Sequence, residues 1–153
     1  MADALNEDIG LAGDGTTAMP HVAPWHFWAV VAVALLWNGF PALDYTMTQL
    51  RDASWIGQIG PERLAIIDGA PAWATAAWAL GGWSAFIGAV LMLLRSRRAT
   101  TAFAISILAA VVSFAWQYSV GLIETQIIPA VIVASIAFFW WYASRMRDEG
   151  VLR

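Results

Sequence analysis

Hydrophobic positions along this chain neither alternate nor recur as a one-sided stripe; they come in four long blocks. Residues 15–43, 69–94, 99–123 and 125–144 carry no Asp, Glu, Lys or Arg, and every charged side chain falls between or outside them. A soluble helix must present a polar face to water, and these blocks have none. Each reaches the ~20 apolar residues that span a bilayer core. The pattern predicts an all-α integral membrane protein with helices over about 25–43, 72–94, 101–121 and 127–143. Nothing reads as a strand. Short connections between the second, third and fourth helices predict antiparallel neighbours and an up-down-up-down four-helix bundle.

Local signals refine this outline. Residues 1–24 are small and acidic, with Gly, Pro20 and Pro24, and read as a disordered cytoplasmic tail. They hold four carboxylates and no Arg, unlike the positive start of a secretory signal. Trp25 and Trp28 fit an interfacial aromatic belt. Pro41 removes a hydrogen bond and crowds the carbonyl of Trp37, which predicts a kink near the outer end of helix one. Leu43, Met47 and Leu50 keep a helical spacing beyond Asp44, so the end of that helix stays open. Residues 44–69 form the one sizeable loop, broken by Gly57 and Gly60. Pro61-Glu62 marks a helix start there, with Leu64, Ile66 and Ile67 on an interfacial turn. Small residues line helix two (Ala74, Ala77, Gly81, Ser84, Ala85, Gly88) and helix three (Ala102, Ser106, Ala109, Ala110, Ser113). Such stripes let backbones approach where lipid offers no hydrophobic drive. Helix four ends in Phe138-Phe139-Trp140-Trp141-Tyr142 with Arg145 and Arg147 behind, a cytoplasmic-interface signature. Residues 145–153 read as a cytoplasmic tail.

Composition narrows the function classes. Of 153 residues, 60% are hydrophobic and 12% charged, and cysteine is absent. The charged share is half the ~25% of a soluble domain. A soluble enzyme, a nucleic-acid binder and a disulfide scaffold are excluded. Arg95, Arg97, Arg98, Arg145, Arg147 and Arg153 share one predicted side, against Arg51 and Arg63 on the other. The positive-inside bias then predicts that both termini and the Arg-rich turn face the cytoplasm.

Polar groups at membrane depth are the candidate chemistry. Asn38 and Gln117 lie 13 and 16 residues into helices that rise in the same direction. At ~1.5 Å per residue both reach the outer third of the bilayer. Asp44 and Tyr45 lie above Asn38, Glu124 lies above Gln117, and Trp73 and Trp78 enter helix two at that depth. Trp37 and Trp116 precede the two amides. These nine residues form an expected outward-facing polar and aromatic mouth, suited to sugars, amines or quinone heads. A short echo, Trp37-Asn38 before Asp44 and Trp116-Gln117 before Glu124, is brief enough for chance to produce. Asn38 and Gln117 also have a plain reading as interhelical hydrogen-bonders, and Asp44 and Glu124 as solvated loop carboxylates. His21 and His26, five apart across Pro24, lack a third ligand and make a poor metal site. No nucleophile–base pair, phosphate loop or Cys/His cluster occurs, so no catalysis is expected, and no cofactor is indicated.

Leu36-Trp37-Asn38-Gly39-Phe40, Asp44-Tyr45 with Met47-Thr48-Gln49, Pro71-Ala72-Trp73, and Leu91 to Arg95 before the Arg turn carry a resemblance. Over about residues 24–120 the chain resembles a family of small four-helix alphaproteobacterial inner-membrane proteins labelled "sugar transporter" and grouped loosely with DoxX-like proteins. The resemblance implies a fold and picks out the Trp-Asn…Asp-Tyr pattern, but brings no catalytic or binding residue set. Three functions fit. The first is an accessory or scaffolding subunit of a membrane complex or homo-oligomer, packing through the small-residue stripes. The alternative is a small-solute, sugar-type transporter working as a parallel oligomer. The third is a membrane subunit of a quinone-linked redox complex.

Overall fold

A computed structural model describes residues 22–153, and the structure is all-helical over them. The acidic stretch and His21 lie outside the described residues. Six helices follow in order: α1 (Trp25–Gln49), α2 (Ala53–Ile56), α3 (Pro61–Asp68), α4 (Ala72–Leu93), α5 (Arg98–Ser119) and α6 (Ile127–Asp148). Four of them, α1, α4, α5 and α6, are long and apolar enough to cross a membrane.

Two boundaries differ from the sequence expectation. The charge at Asp44 does not stop α1, which keeps Pro41 inside it and runs on to Gln49. Asp44 is tolerated there because the indole N–H of Trp55 donates to its Oδ1 at 3.0 Å. At the other end, residues 145–153 are no loose tail. The α6 helix continues to Asp148, supported by an Arg145–Glu149 pair one turn apart, and Val151 and Leu152 are buried. Arg153 N–H donates to the Arg95 carbonyl at 2.6 Å and Arg97 N–H to the Arg153 carbonyl at 2.9 Å. The Arg95 guanidinium adds a bond to the Val151 carbonyl. The chain thereby stitches itself onto the α4–α5 turn.

Helix α4 lies between α1 and α5, and α6 packs on α5. Consecutive glycines make the closest approaches: a Cβ on Gly82 would stand 3.1 Å from the Pro41 carbonyl oxygen of α1, and one on Gly81 3.4 Å from the Ala110 nitrogen of α5. Ser106 Oγ donates to the Gly81 carbonyl across that second contact. Further along, Gly88 receives the ring of Phe103. The small-residue stripe of α4 is therefore consumed inside the chain, with Ala74, Ala77, Gly81, Ala85 and Gly88 all buried. Between α1 and α6 the links are side-chain bridges: His26 with the Tyr142 hydroxyl at 2.7 Å and Trp37 Nε1 to Ser135 Oγ at 2.8 Å.

Large core side chains crowd one end. Phe27, Met92, Phe103, Phe139, Met146 and Leu152 are all buried, and all lie near the Arg95 turn. Toward the Asp44 end the buried positions are mostly small or polar, namely Ala42, Ala74, Ala77, Ala110, Asn38, Thr48 and Ser113, with Leu122 the large apolar one beside them. Small side chains cannot fill the space between helix axes, so the helices pack around large side chains at one end and leave a hollow at the other.

Candidate functional site

The hollow end holds two chambers. The outer one, about 220 Å³, lies between the ends of α1, α4 and α5 and the α2–α3 segment. The inner one, about 180 Å³, runs down among α1, α4, α5 and α6 to Gly81 and Ile136. Asp44, Trp78, Ser113 and Gln117 line both and form the neck between them. Each chamber alone is smaller than the ~300–1,000 Å³ of an ordinary ligand pocket, so a ligand of ordinary size needs both.

A cap of α2 and α3 covers the outer chamber, and its local sequence explains its shape. Asp52 caps α2 by accepting from the Ser54 and Trp55 amides, and Pro61 with Glu62 starts α3. Three ties hold the cap down: Trp55 to Asp44, an Arg51–Asp68 pair at 2.7 Å, and Arg63 Nη2 donating to the Leu122 carbonyl at 3.1 Å. Ser54 and the Trp55 amide hold the Asp52 carboxyl below the usual carboxylate range.

Six of the residues singled out from the sequence meet at these chambers: Trp37, Asn38, Asp44, Trp78, Trp116 and Gln117. Tyr45 stands behind, its ring edge-on to Trp78 with centroids 5.3 Å apart. Trp73 is 55% exposed and lines neither chamber. Glu124 is exposed and also outside both. The two amides bond within their own helices rather than across: Asn38, 1% exposed, donates to the Ala34 carbonyl, and Gln117 donates to Ser113 Oγ. The Asn38 amide therefore does not take up the carbonyl of Trp37 that Pro41 leaves without its helical N–H.

Sequence reasoning missed Thr48, Gln49, Gln58 and Arg63, which complete the outer chamber. Thr48 is the informative one. It is 2% exposed and its hydroxyl has no hydrogen-bond partner among the described residues. A buried unmade hydrogen bond costs about 1–3 kcal/mol, so such a group calls for a partner, an ordered water or a bound ligand. Its position four residues after Asp44, on the same helical face, is the signal that was available.

Chemically the chambers present a mixed surface: amides, hydroxyls, three indoles, one carboxylate and one guanidinium. Among the described residues no three metal-ligating side chains cluster, and His26 bonds Tyr142 at the opposite end of the bundle. The arrangement suits reversible binding of a hydrogen-bonding molecule. Comparison with protein-family models, with curated proteins and with solved structures finds no match to this chain.

Proposed function

We propose that this chain is a multi-pass inner-membrane protein that binds a small uncharged, hydrogen-bonding solute in the capped cavity, as the solute-recognition unit of a transport process. The carrying observation is the unpartnered, buried Thr48 hydroxyl in a chamber walled by amides and indoles. In this reading the bundle is up-down-up-down with both termini cytoplasmic and the cavity opening outward. Two facts support that frame: the six-to-two arginine asymmetry, and helix contacts that pair rising with falling numbers, such as Gly39 with Phe86, Pro41 with Gly82 and Tyr45 with Trp78. The large buried side chains near Arg95 close that end of the cavity. The sugar-transporter resemblance points to the same ligand class.

The accessory-subunit reading rests on the small-residue stripes of α4 and α5, the aromatic belt near Arg145 and the lack of a chemical constellation. Burial of the α4 stripe against α1 and α5 makes the first of these weaker support.

The test is ligand binding by the purified full chain in lipid nanodiscs, read by tryptophan fluorescence with glucose and related monosaccharides as probes. Saturable binding that Asp44→Asn and Gln117→Leu both weaken is expected. Binding indifferent to both substitutions, or none with any neutral hydroxylated probe, overturns the proposal.

A further inference from the structure

A third cavity lies on the outside of the bundle. It is a groove of about 430 Å³ between α1, from Leu36 to Pro41, and α6, from Ile127 to Ile132, and every side chain lining it is apolar or aromatic. It adjoins the inner chamber along Trp37, Phe40, Pro41 and Ile132, which line both. This is also where α1 and α6 are joined by side chains, with the exposed Trp37–Ser135 bond crossing the seam. From groove to inner chamber to outer chamber the lining thus grows steadily more polar. Both helices that flank the groove are membrane-spanning candidates, so the medium against the groove is hydrocarbon.

We infer that the ligand of this cavity is an amphiphile, a neutral glycolipid of the leaflet on the α2–α3 side, with its hydroxylated head in the two chambers and one hydrocarbon chain in the α1–α6 groove. The inference rests on the solute-binding reading above and names its substrate class. The head chemistry follows from the donors and acceptors on the page. An anionic head meets the Asp44 carboxylate in the same chamber, and one N–H of the Arg63 guanidinium there is spent on the Leu122 carbonyl. A head with carbonyls alone, as in a quinone, gives nothing to the second carboxylate oxygen of Asp44, which accepts no bond among the described residues. Hydroxyl groups both donate and accept, and they can satisfy Asp44 and Thr48 together. Trp78 and Trp116 supply flat apolar faces for the ring carbons of a sugar. Entry from the side needs no opening of the cap and no passage of the chain through water.

The experiment reconstitutes the full chain in phosphatidylcholine nanodiscs doped with monoglucosyl diacylglycerol, phosphatidylglycerol or a prenyl quinone. Lipid retained on the protein is read by native mass spectrometry. Methyl glucoside, a head without a chain, is titrated in parallel by tryptophan fluorescence. Preferential retention of the glucolipid is expected. Thr48→Val should weaken it by roughly fivefold, the worth of one buried hydrogen bond. Ile128→Trp should abolish it while leaving methyl glucoside binding unchanged. Ile128 is exposed and lines the groove but neither chamber, so this substitution fills the groove without disturbing the packed interior. Equal retention of phosphatidylglycerol or quinone, or indifference to Ile128→Trp, overturns the inference. Methyl glucoside binding without any glucolipid retention also overturns it and leaves the solute-binding reading standing. Loss of both removes the two together.

Discussion

Thr48 and Arg51 sit one turn apart at the end of α1, and each is held in a state that an isolated residue avoids. Thr48 buries a hydroxyl without a partner. An isosteric methyl removes the desolvation penalty, so Thr48→Val should leave the ligand-free protein as stable as before or about 1 kcal/mol more stable, while weakening binding. Opposite signs in thermal unfolding and in a binding titration would separate a ligand-directed group from a structural one. Arg51 has φ of 58°, in the left-handed region where glycine ordinarily ends a helix. Its exposed pair with Asp68 returns only about 0.2–1 kcal/mol, against a cost of about 1–2 kcal/mol for that backbone. Arg51→Gly should therefore not lower the melting temperature, and faster hydrogen exchange in α3 would report the lost tether. Asp52 responds to acid. Its carboxyl is depressed in the folded state, so its capping contribution is present above the ordinary carboxylate range and is lost as pH falls through the folded value. Exchange of the Ser54 and Trp55 amides should quicken in acid, and Asp52→Asn, still a competent cap, should flatten that pH dependence. Of this, only the spacing of Thr48 from Asp44 was legible in the sequence. Thr48 reads as an ordinary helix-end threonine until the cap is laid over it, and Arg51 reads as a loop cation.

Among the helices, the two faces of α4 at Gly81 and Gly82 fix how closely α5 and α1 approach. Glycine costs a helix interior about 1 kcal/mol relative to alanine, so a glycine kept there earns its place by proximity. A Cβ on Gly39 meets only the Phe86 ring at an ordinary 3.7 Å, whereas one on Gly82 meets the Pro41 backbone at 3.1 Å. Gly39→Ala should then stabilise by about 0.5–1 kcal/mol, and Gly82→Ala should destabilise by about 1–3 kcal/mol because backbone must shift. Thermal unfolding in one detergent decides both, and a shared sign would refute the reading of the α1–α4 crossing. The stripe itself was readable from spacing alone, because period 3.6 places small residues on one face. Which neighbour filled that face was not, since a stripe does not encode its partner. The cap was half legible. Pro61-Glu62 announced α3, but the Trp55–Asp44 bond joins residues eleven apart and exists only once the segment folds back over α1.

At the scale of the whole molecule, depth arithmetic put the chosen residues at the end where the chambers lie, since a rise of ~1.5 Å per residue fixes height along a helix. It does not fix the angle around the axis. Trp73 has the right height and the wrong azimuth: its neighbour Ala74 is buried, and one step of the helix turns Trp73 outward. Glu124 lies outside both chambers for another reason. Helix α5 ends at Ser119 and the backbone turns at Gly121, φ 73°, so extrapolating the helix to residue 124 misplaces it. The proposed orientation is testable without interference because the chain has no cysteine. An impermeant maleimide applied to intact cells should label Gln126→Cys, in the α5–α6 connection, and spare Ser96→Cys, in the α4–α5 turn, until the membrane is opened. The reverse pattern would invert the topology and turn the cavity toward the cytoplasm.

The stitch between Arg153 and the Arg95–Arg97 turn has a mechanical meaning. A force applied at Arg153 does not reach α6 first. It loads two backbone hydrogen bonds and the seat of Leu152, whose partners belong to the α4–α5 turn some 56 residues earlier in the chain. Pulled from that point, the molecule should yield in two steps, a short slip as the stitch peels away and a longer extraction of α6. Cutting the guanidinium tie with Arg95→Ala should lower the force of the first step alone.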